Sequence, residues 1–498
     1  MPDEEVEQPG TPRIEWQEDG QRLVTWSVAP GKEIRHRFPD AVKHHYRPGG
    51  VDEDVPLYRG QFKYPEDDRS YDGDVRFRWR PSPRIEIRGE RSTSLADGVD
   101  IVEGWLNGDA SREMWVSPSE VVVALPDGEL PAQPGEVFAP ERSHGDPPHR
   151  IVDRLEQQLG EPSALDQVTF LVPNGWEALD GTGVCDPDNL TRTWRGRGAA
   201  SGDGWSVTID RDSAMTPAAW RELKDLGGHR FTHVGRLARL DGSTFTGDEA
   251  FVALDRVRLG LNLALGRRTT CALPVGWGQD RPVWSRWRSA PVDTYRNASH
   301  WLDETICCRQ IGEIVSLVLS FTADEACREA VRHATAYYVA ANVDVDVELS
   351  TALPISGLHL LSYFRFVTQR GTYSRTQWES KDNHTEHQLR LLLDDLGIDT
   401  SVPDHFAHLV NVQNRLARQA PPRDALGVVV KMRNVATHPT RGQRSDFSIY
   451  EWAEAGMLAR YWLCLALLNT VGYQGEVAAI LGVGPRWTGQ LRPPPWVS

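Results

Sequence analysis

Lys431, Met432, Arg433, Asn434, Val435, Ala436, Thr437, His438 and Pro439 form a stretch in which a permanent cation, Arg433, precedes a titratable imidazole, His438, with the small amide of Asn434 between them. These are the groups needed to cleave RNA without a metal. An imidazole of ordinary pKa, about 6.5, can take a proton from a 2′-hydroxyl at neutral pH. A guanidinium can hold the charge that grows on the phosphorane oxygens. Asn434 and His438 are spaced to share one helical face if a helix continues that far. Pro439 pushes the residue before it out of the α region, so the helix should stop near Thr437 and leave His438 at its fraying end. The bland use of the same residues is an Arg and a His at the negative end of a helix dipole.

The elements around this stretch are expected to be helical. From about Trp301 onward Pro and Gly thin out, and Ile306, Ile311, Ile314, Val315 and Val318 repeat with helical period. Thr322 is expected to cap the next helix, which runs to about Ala341. Another spans roughly residues 347–369, with Pro354 either kinking it or marking its first turn. Asn383 is expected to cap a helix through Leu396 that stops at Gly397, and residues 403–418 form the next. Asp424 caps the helix that carries Leu426, Val429, Val430 and Met432 toward Arg433, and a last long helix covers about residues 449–470. Short connections between amphipathic segments predict an antiparallel helical bundle over residues 300–474, followed by a Pro- and Trp-bearing tail over 475–498.

The motif resembles the R-(N/H/D)-x-x-x-H signature of HEPN-domain ribonucleases (higher eukaryotes and prokaryotes nucleotide-binding), and the helices over roughly the last 180 residues resemble that family as well. The resemblance implies an endoribonuclease that needs no metal or other cofactor. His438 would act as general base, Arg433 would stabilise the transition state, and Asn434 would orient the histidine or the phosphate. The product would be a 2′,3′-cyclic phosphate. It also implies a homodimer in which two copies of the motif face each other across a groove. Toxins and phage-defence effectors are the family's usual bacterial setting. An inactive HEPN-like fold, serving dimerisation or ligand binding, is the alternative, and a bundle working with a separate nucleotide transferase is a third.

The first half carries no comparable chemistry. Residues 1–11 read as a short disordered lead, and residues 12–149 as a β-rich accessory domain ending in a Pro-, Gly- and acid-rich linker from Pro126 to His149. Within it, Arg22–Val28 and Val75–Arg80 alternate, and Ile85 and Ile87 resume the pattern after Pro-Ser-Pro to give a hairpin. Glu120–Leu125 reads as a further strand. Arg76, Arg78 and Arg80 could meet phosphate, but a solvated outer face is the simpler reading.

Residues 150–295 mix the two patterns, which predicts an α+β domain. Helices are expected at Ile151–Leu159, Pro217–Leu226 and Asp248–Leu265. Strands are expected at Val168–Val172, Gly204–Asp210, Arg230–Leu240, Thr270–Val275 and Pro282–Trp287. The phrase Thr232-His233-Val234-Gly235 is similar to one found in bacterial proteins that place such a domain ahead of a HEPN-like end, yet a lone strand histidine is more often structural. Trp277, Trp284 and Trp287 could stack bases, but packing is the commoner use of indole.

Composition limits the function classes. A chain of 498 residues with a formal charge of −15 has material for two to four domains and does not coat nucleic acid by bulk electrostatics, though a local basic cleft remains compatible. No run of apolar residues is long enough to cross a bilayer, so no membrane partner is expected. The six cysteines are scattered, match neither a disulfide framework nor a CxxC zinc site, and point to a reducing cytoplasm. The adjacent Cys307 and Cys308 read as core residues. His384 and His387 are spaced like zinc ligands, but no third ligand is evident. No Gly-rich phosphate loop and no GxSxG elbow occurs. The expectation is therefore a multidomain α+β protein with a β-rich start, an α+β middle and a helical HEPN-like end, its front half sensing an unknown trigger.

Overall fold

The computed structural model describes residues 13–16, 22–29, 32–64, 67–91, 150–153, 156–189, 192–289, 291–296, 301–343, 346–380, 382–418, 423–437, 447–478, 481 and 490–497. The expected strand Glu120–Leu125 and the linker from Pro126 to His149 lie outside them.

The first part is built from strands. β1 (Arg13–Trp16), β2 (Arg22–Ala29) and β3 (Lys32–Phe38) form an antiparallel sheet. β4 (Val55–Tyr64), β5 (Asp67–Arg78), β6 (Arg84–Arg91) and β7 (Arg150–Asp153) form a second. The predicted hairpin is present, with Val75 opposite Ile87 and Phe77 opposite Ile85. Alternation decides which face is buried: Val75, Phe77, Trp79, Ile85 and Ile87 all point into one core.

The middle part is a larger antiparallel sheet flanked by two helices. Its described strands run β10 (Thr182–Cys185), β11 (Thr193–Gly202), β12 (Trp205–Arg211), β13 (Phe231–Arg239), β9 (Gln167–Pro173), β14 (Ala272–Gly278), β15 (Arg281–Arg288) and β8 (Glu156–Gly160) in spatial order. The helix expected at Ile151–Leu159 is corrected by β7 and β8. Val152 pairs with Ile87 in one sheet and Leu159 with Ser285 in the other, so cross-strand partners override a short local pattern. Helix α1 (Pro217–Leu226) starts at the Thr216 cap and ends at Gly227, whose φ of 62° needs the left-handed freedom of glycine. Helix α2 (Gly247–Leu265) starts with a reciprocal Thr246–Glu249 capping box. It is buried on more than one side, against the sheet and against the next helix, where Gly260 meets Val315.

The last part is helical: α3 (Cys307–Phe321), α4 (Glu325–Ala341), α5 (Val347–Tyr363) continuing as a π-helical turn over Phe364–Gln369, α6 (Arg375–Trp378), α7 (Thr385–Asp395), α8 (Ala407–Ala417), α9 (Ala425–Thr437) and α10 (Ile449–Thr470). Two expected caps move. Asp324, not Thr322, caps α4 through the Cys327 amide, while the Thr322 hydroxyl donates back to the Val318 carbonyl of the preceding helix. His384 takes the cap position of α7, and the Asn383 amide turns inward to the Trp378 carbonyl. Pro354 sits inside α5, which continues through it. β16 (Val477–Ala478) and β17 (Leu491–Arg492) pair after α10.

Two large apolar cores hold these parts together, and a smaller one packs Trp220 and Leu223 of α1 against Tyr295. One lies between the β4–β7 sheet and the large sheet, joining Val55, Phe77 and Ile87 to Leu171, Phe231 and Trp287. The other is continuous from the opposite face of the large sheet through α2 and α3 to α9 and α10. The protein thus has a β-rich N-terminal and middle region and a helical C-terminal region, and packing does not pause where the chain passes residue 300. No described helix is long and apolar enough to cross a membrane.

Candidate functional site

The end of α9 carries the residues singled out by the motif. Its start is fixed by Asp424, whose carboxylate accepts from the Gly427 amide at 3.0 Å. The same carboxylate accepts from the Thr400 hydroxyl at 2.9 Å and from both terminal nitrogens of Arg390 at 2.6 and 3.0 Å. Burial pushes the Asp424 carboxyl up, but Arg390, the Gly427 amide and Thr400 outweigh it and hold the group below its ordinary range. Val428, Val429, Val430, Met432 and Val435 are buried, which orients the helix. The rotation left over places Arg433 half-buried and Asn434 exposed.

Arg433 is unusual for its charge. Its Nη1 donates to Asn434 Oδ1 at 3.2 Å, its Nε is buried without a hydrogen-bond partner, and no carboxylate pairs with it among the described residues. Burial lowers its pKa from the ordinary arginine value, as expected where no described acid stabilises the cation. Several other arginines of the helical region are paired: Arg365 with Asp395, Arg390 with Asp424, Arg415 with Glu451 and Arg423 with Glu386. Arg460 also stands without a described carboxylate, but its Nη1 holds the Ala341 carbonyl at the end of α4. The Thr437 hydroxyl donates to the Arg433 carbonyl at 3.1 Å and closes the last turn, where the proline was expected to stop the helix. Arg433 and Asn434 are therefore brought together. His438 lies outside the described residues.

The other candidates resolve toward packing. Arg76 pairs with Asp74, Arg78 with Glu86 at 2.9 Å and Arg80 with Asp52 at 2.5 Å, so these guanidiniums face acids. Trp284 and Trp287 are fully buried, and Trp277 donates its indole N–H to the Thr169 hydroxyl. His233 is 1% exposed and stacks on Trp176 at 3.9 Å, with Nδ1 facing the Thr232 hydroxyl at 3.0 Å. Burial, reinforced by the charges of Arg211 and Arg267, lowers its pKa to about 3, which keeps it neutral. His384 and His387 are both exposed, and among the described residues no third ligand joins them.

One group was not assembled by sequence reasoning. Asp180, from the loop after β9, reaches the start of α3 beside Cys307 and Cys308. Both cysteines are in the core as expected, but nothing in the local sequence announces a carboxylate that arrives from so far away in the chain.

Residues 160–298 match the family model described as the YopA central domain, and residues 324–491 match that of the YopA C-terminal domain. The chain is also similar to the SPbeta prophage-derived uncharacterized protein YopA of Bacillus subtilis (strain 168), with 22% identity over 274 residues, or 55% of this chain. That match covers 60% of the relative's length. No solved structure matches the chain.

Proposed function

We propose that the C-terminal helical region is a metal-independent endoribonuclease of the HEPN type, with Arg433, Asn434 and His438 as its working residues. The observation that carries the reading is the state of Arg433: a half-buried cation with an amide oxygen and no described carboxylate as its partner. Keeping such a charge costs stability unless an anion meets it, and a phosphate is an anion a guanidinium is shaped to hold.

In this reading His438 takes the proton of a ribose 2′-hydroxyl, and the freed oxygen attacks the adjacent phosphorus. The bond from phosphorus to the 5′-oxygen breaks, leaving a 2′,3′-cyclic phosphate and a 5′-hydroxyl that takes a proton as it departs. Arg433 neutralises the phosphorane, and Asn434 steadies the guanidinium through the hydrogen bond between them. The bundle acts as a homodimer so that two motifs share one groove. Leu349 on α5 and Ile449, Tyr450 and Met457 on α10 are exposed apolar side chains available to such an interface. A role as a toxin or phage-defence effector, with the β-rich regions as its regulator, fits the prophage source of the relative. A non-catalytic dimerisation or ligand-binding bundle is the second reading, favoured by the exposed apolar side chains alone.

The two readings part in an RNA-cleavage assay run in EDTA. The enzyme reading expects cyclic-phosphate ends from the wild type and a loss of about 100-fold or more in Arg433→Ala and His438→Ala. Equal cleavage by all three proteins, or a wild type inert on structured and unstructured RNA alike, would favour the non-catalytic reading.

A further inference from the structure

Where the large sheet meets the helical region, the chain places two thiols and a carboxylate in one spot. Cys307 and Cys308 open α3, and each is 2% exposed. Asp180 comes from the loop between β9 and β10, and one ligand atom from each of the three lies within 4.8 Å of the other two. The carboxylate is held in place by the helix itself, accepting from the Cys308 amide at 2.9 Å and the Arg309 amide at 3.2 Å.

The surroundings of Cys307 suit a cation better than a thiol proton. Its sulfur faces the Glu177 carbonyl at 3.5 Å, the Asp180 carboxylate at 3.7 Å and the Glu304 carbonyl at 3.8 Å. A thiol has one hydrogen and can serve one of these three oxygens at a time.

We propose that Asp180, Cys307 and Cys308 form a binding site for a thiophilic divalent cation of the zinc class. Two thiolates and one carboxylate are a ligand set that such ions prefer over magnesium or calcium. Sulfurs bound tetrahedrally at about 2.3 Å from zinc stand about 3.8 Å apart, and the three ligand atoms here lie within 4.8 Å of one another. The fourth position is open to the Glu177 carbonyl or to water. Binding releases the two thiol protons to solvent and leaves the site with one excess negative charge. The start of α3 and the Arg211 guanidinium, whose charge acts on Cys308, offset that charge. The bound ion would pin the loop after β9 to the first helix of the C-terminal region. This site is separate from Arg433 and does not rest on the ribonuclease reading.

The test uses the full chain, stripped of metal under reducing conditions and titrated with cobalt(II) or cadmium(II) while the thiolate-to-metal charge-transfer band is followed. One equivalent should bind per chain, with a rise in thermal midpoint. Apparent affinity should rise by up to about 100-fold per pH unit below the thiol pKa values, because two protons leave per ion. Cys308→Ser should abolish the band. Asp180→Asn should weaken binding at least about tenfold while keeping the stronger half of the helix cap, since the amide oxygen still accepts from the Cys308 N–H and only the longer bond from the Arg309 N–H is lost. Cys271→Ser should change nothing. A wild type with no thiolate band, or a band of full intensity in Cys307→Ser/Cys308→Ser, would overturn the proposal. If the cysteine variants fail to fold, an Asp180→Asn protein that binds as tightly as wild type overturns it equally.

Discussion

Arg197 and Arg433 are the same side chain put to opposite uses in the two regions of the molecule. In the large sheet, Arg197 lies on β11 with its side chain 12% exposed and grips Asp210 of β12 through two hydrogen bonds of 2.7 Å. Its other contact is the Asp40 carbonyl, and Asp210 in turn accepts from the Val42 amide, so the pair ties the segment after β3 to the sheet. On α9, Arg433 is half-buried, donates only to the neighbouring Asn434 amide oxygen and has no described acid. A buried charge that is fully partnered specifies structure, and one left short of a counter-ion is free to meet something from outside.

Breaking the partnered charge should have the largest effect on folding. Asp210→Ala leaves Arg197 buried and unpaired and should destabilise the protein by roughly 3–5 kcal/mol in urea titration. The apolar pair Arg197→Met with Asp210→Leu should recover most of that loss, because it removes the stranded charge as well as the pair. A small effect from Asp210→Ala alone would mean that the sheet does not depend on this lock.

Next in size is the buried histidine of the same sheet. The folded protein holds His233 at about 3 against an ordinary 6.5, so the unfolded chain binds the extra proton first as pH falls. Its contribution to stability is present above the ordinary histidine pKa and is lost as pH drops toward the folded value. Between pH 7 and pH 5 this amounts to about 2 kcal/mol from the one residue. Urea midpoints measured across that interval should fall less steeply in His233→Gln than in wild type; parallel slopes would contradict the neutral buried state.

The smallest effect on stability belongs to Arg433. Arg433→Ala should move the unfolding free energy by less than about 1 kcal/mol, since no described ion pair is lost and only its packed stem is removed. A loss as large as that of Asp210→Ala would erase the distinction between the two arginines and favour a purely structural role for α9.

Much of this contrast was legible in the sequence where local signals agree with packing. Helices α1 (Pro217–Leu226) and α10 (Ile449–Thr470) have the bounds their local patterns predict, because their first turns are capped by near neighbours, Thr216 and Ser448. Errors fall where the deciding partner is remote. Residues 151–159 look helical alone and become strands because Ile87 and Ser285 supply the edges they pair with. Asn383 resembles a cap but is drawn inward by the Trp378 carbonyl. The motif singled out Arg433 and Asn434, which do meet, but could not show that no described acid pairs with Arg433, because that depends on how α9 packs against its neighbouring helices. Asp180 was invisible as a companion of Cys307 for the same reason.

The central proposal is that Arg433, with which no described carboxylate pairs, holds a phosphate undergoing attack. The most direct measurement is the rate of RNA cleavage in EDTA by wild type, Arg433→Ala and Arg433→Lys at matched stability, with product ends identified. The account predicts 2′,3′-cyclic phosphate ends from the wild type, at least about 100-fold slower cleavage by Arg433→Ala, and a large loss in Arg433→Lys, because a point charge does not replace a planar fork. Cleavage undiminished in Arg433→Ala would contradict it.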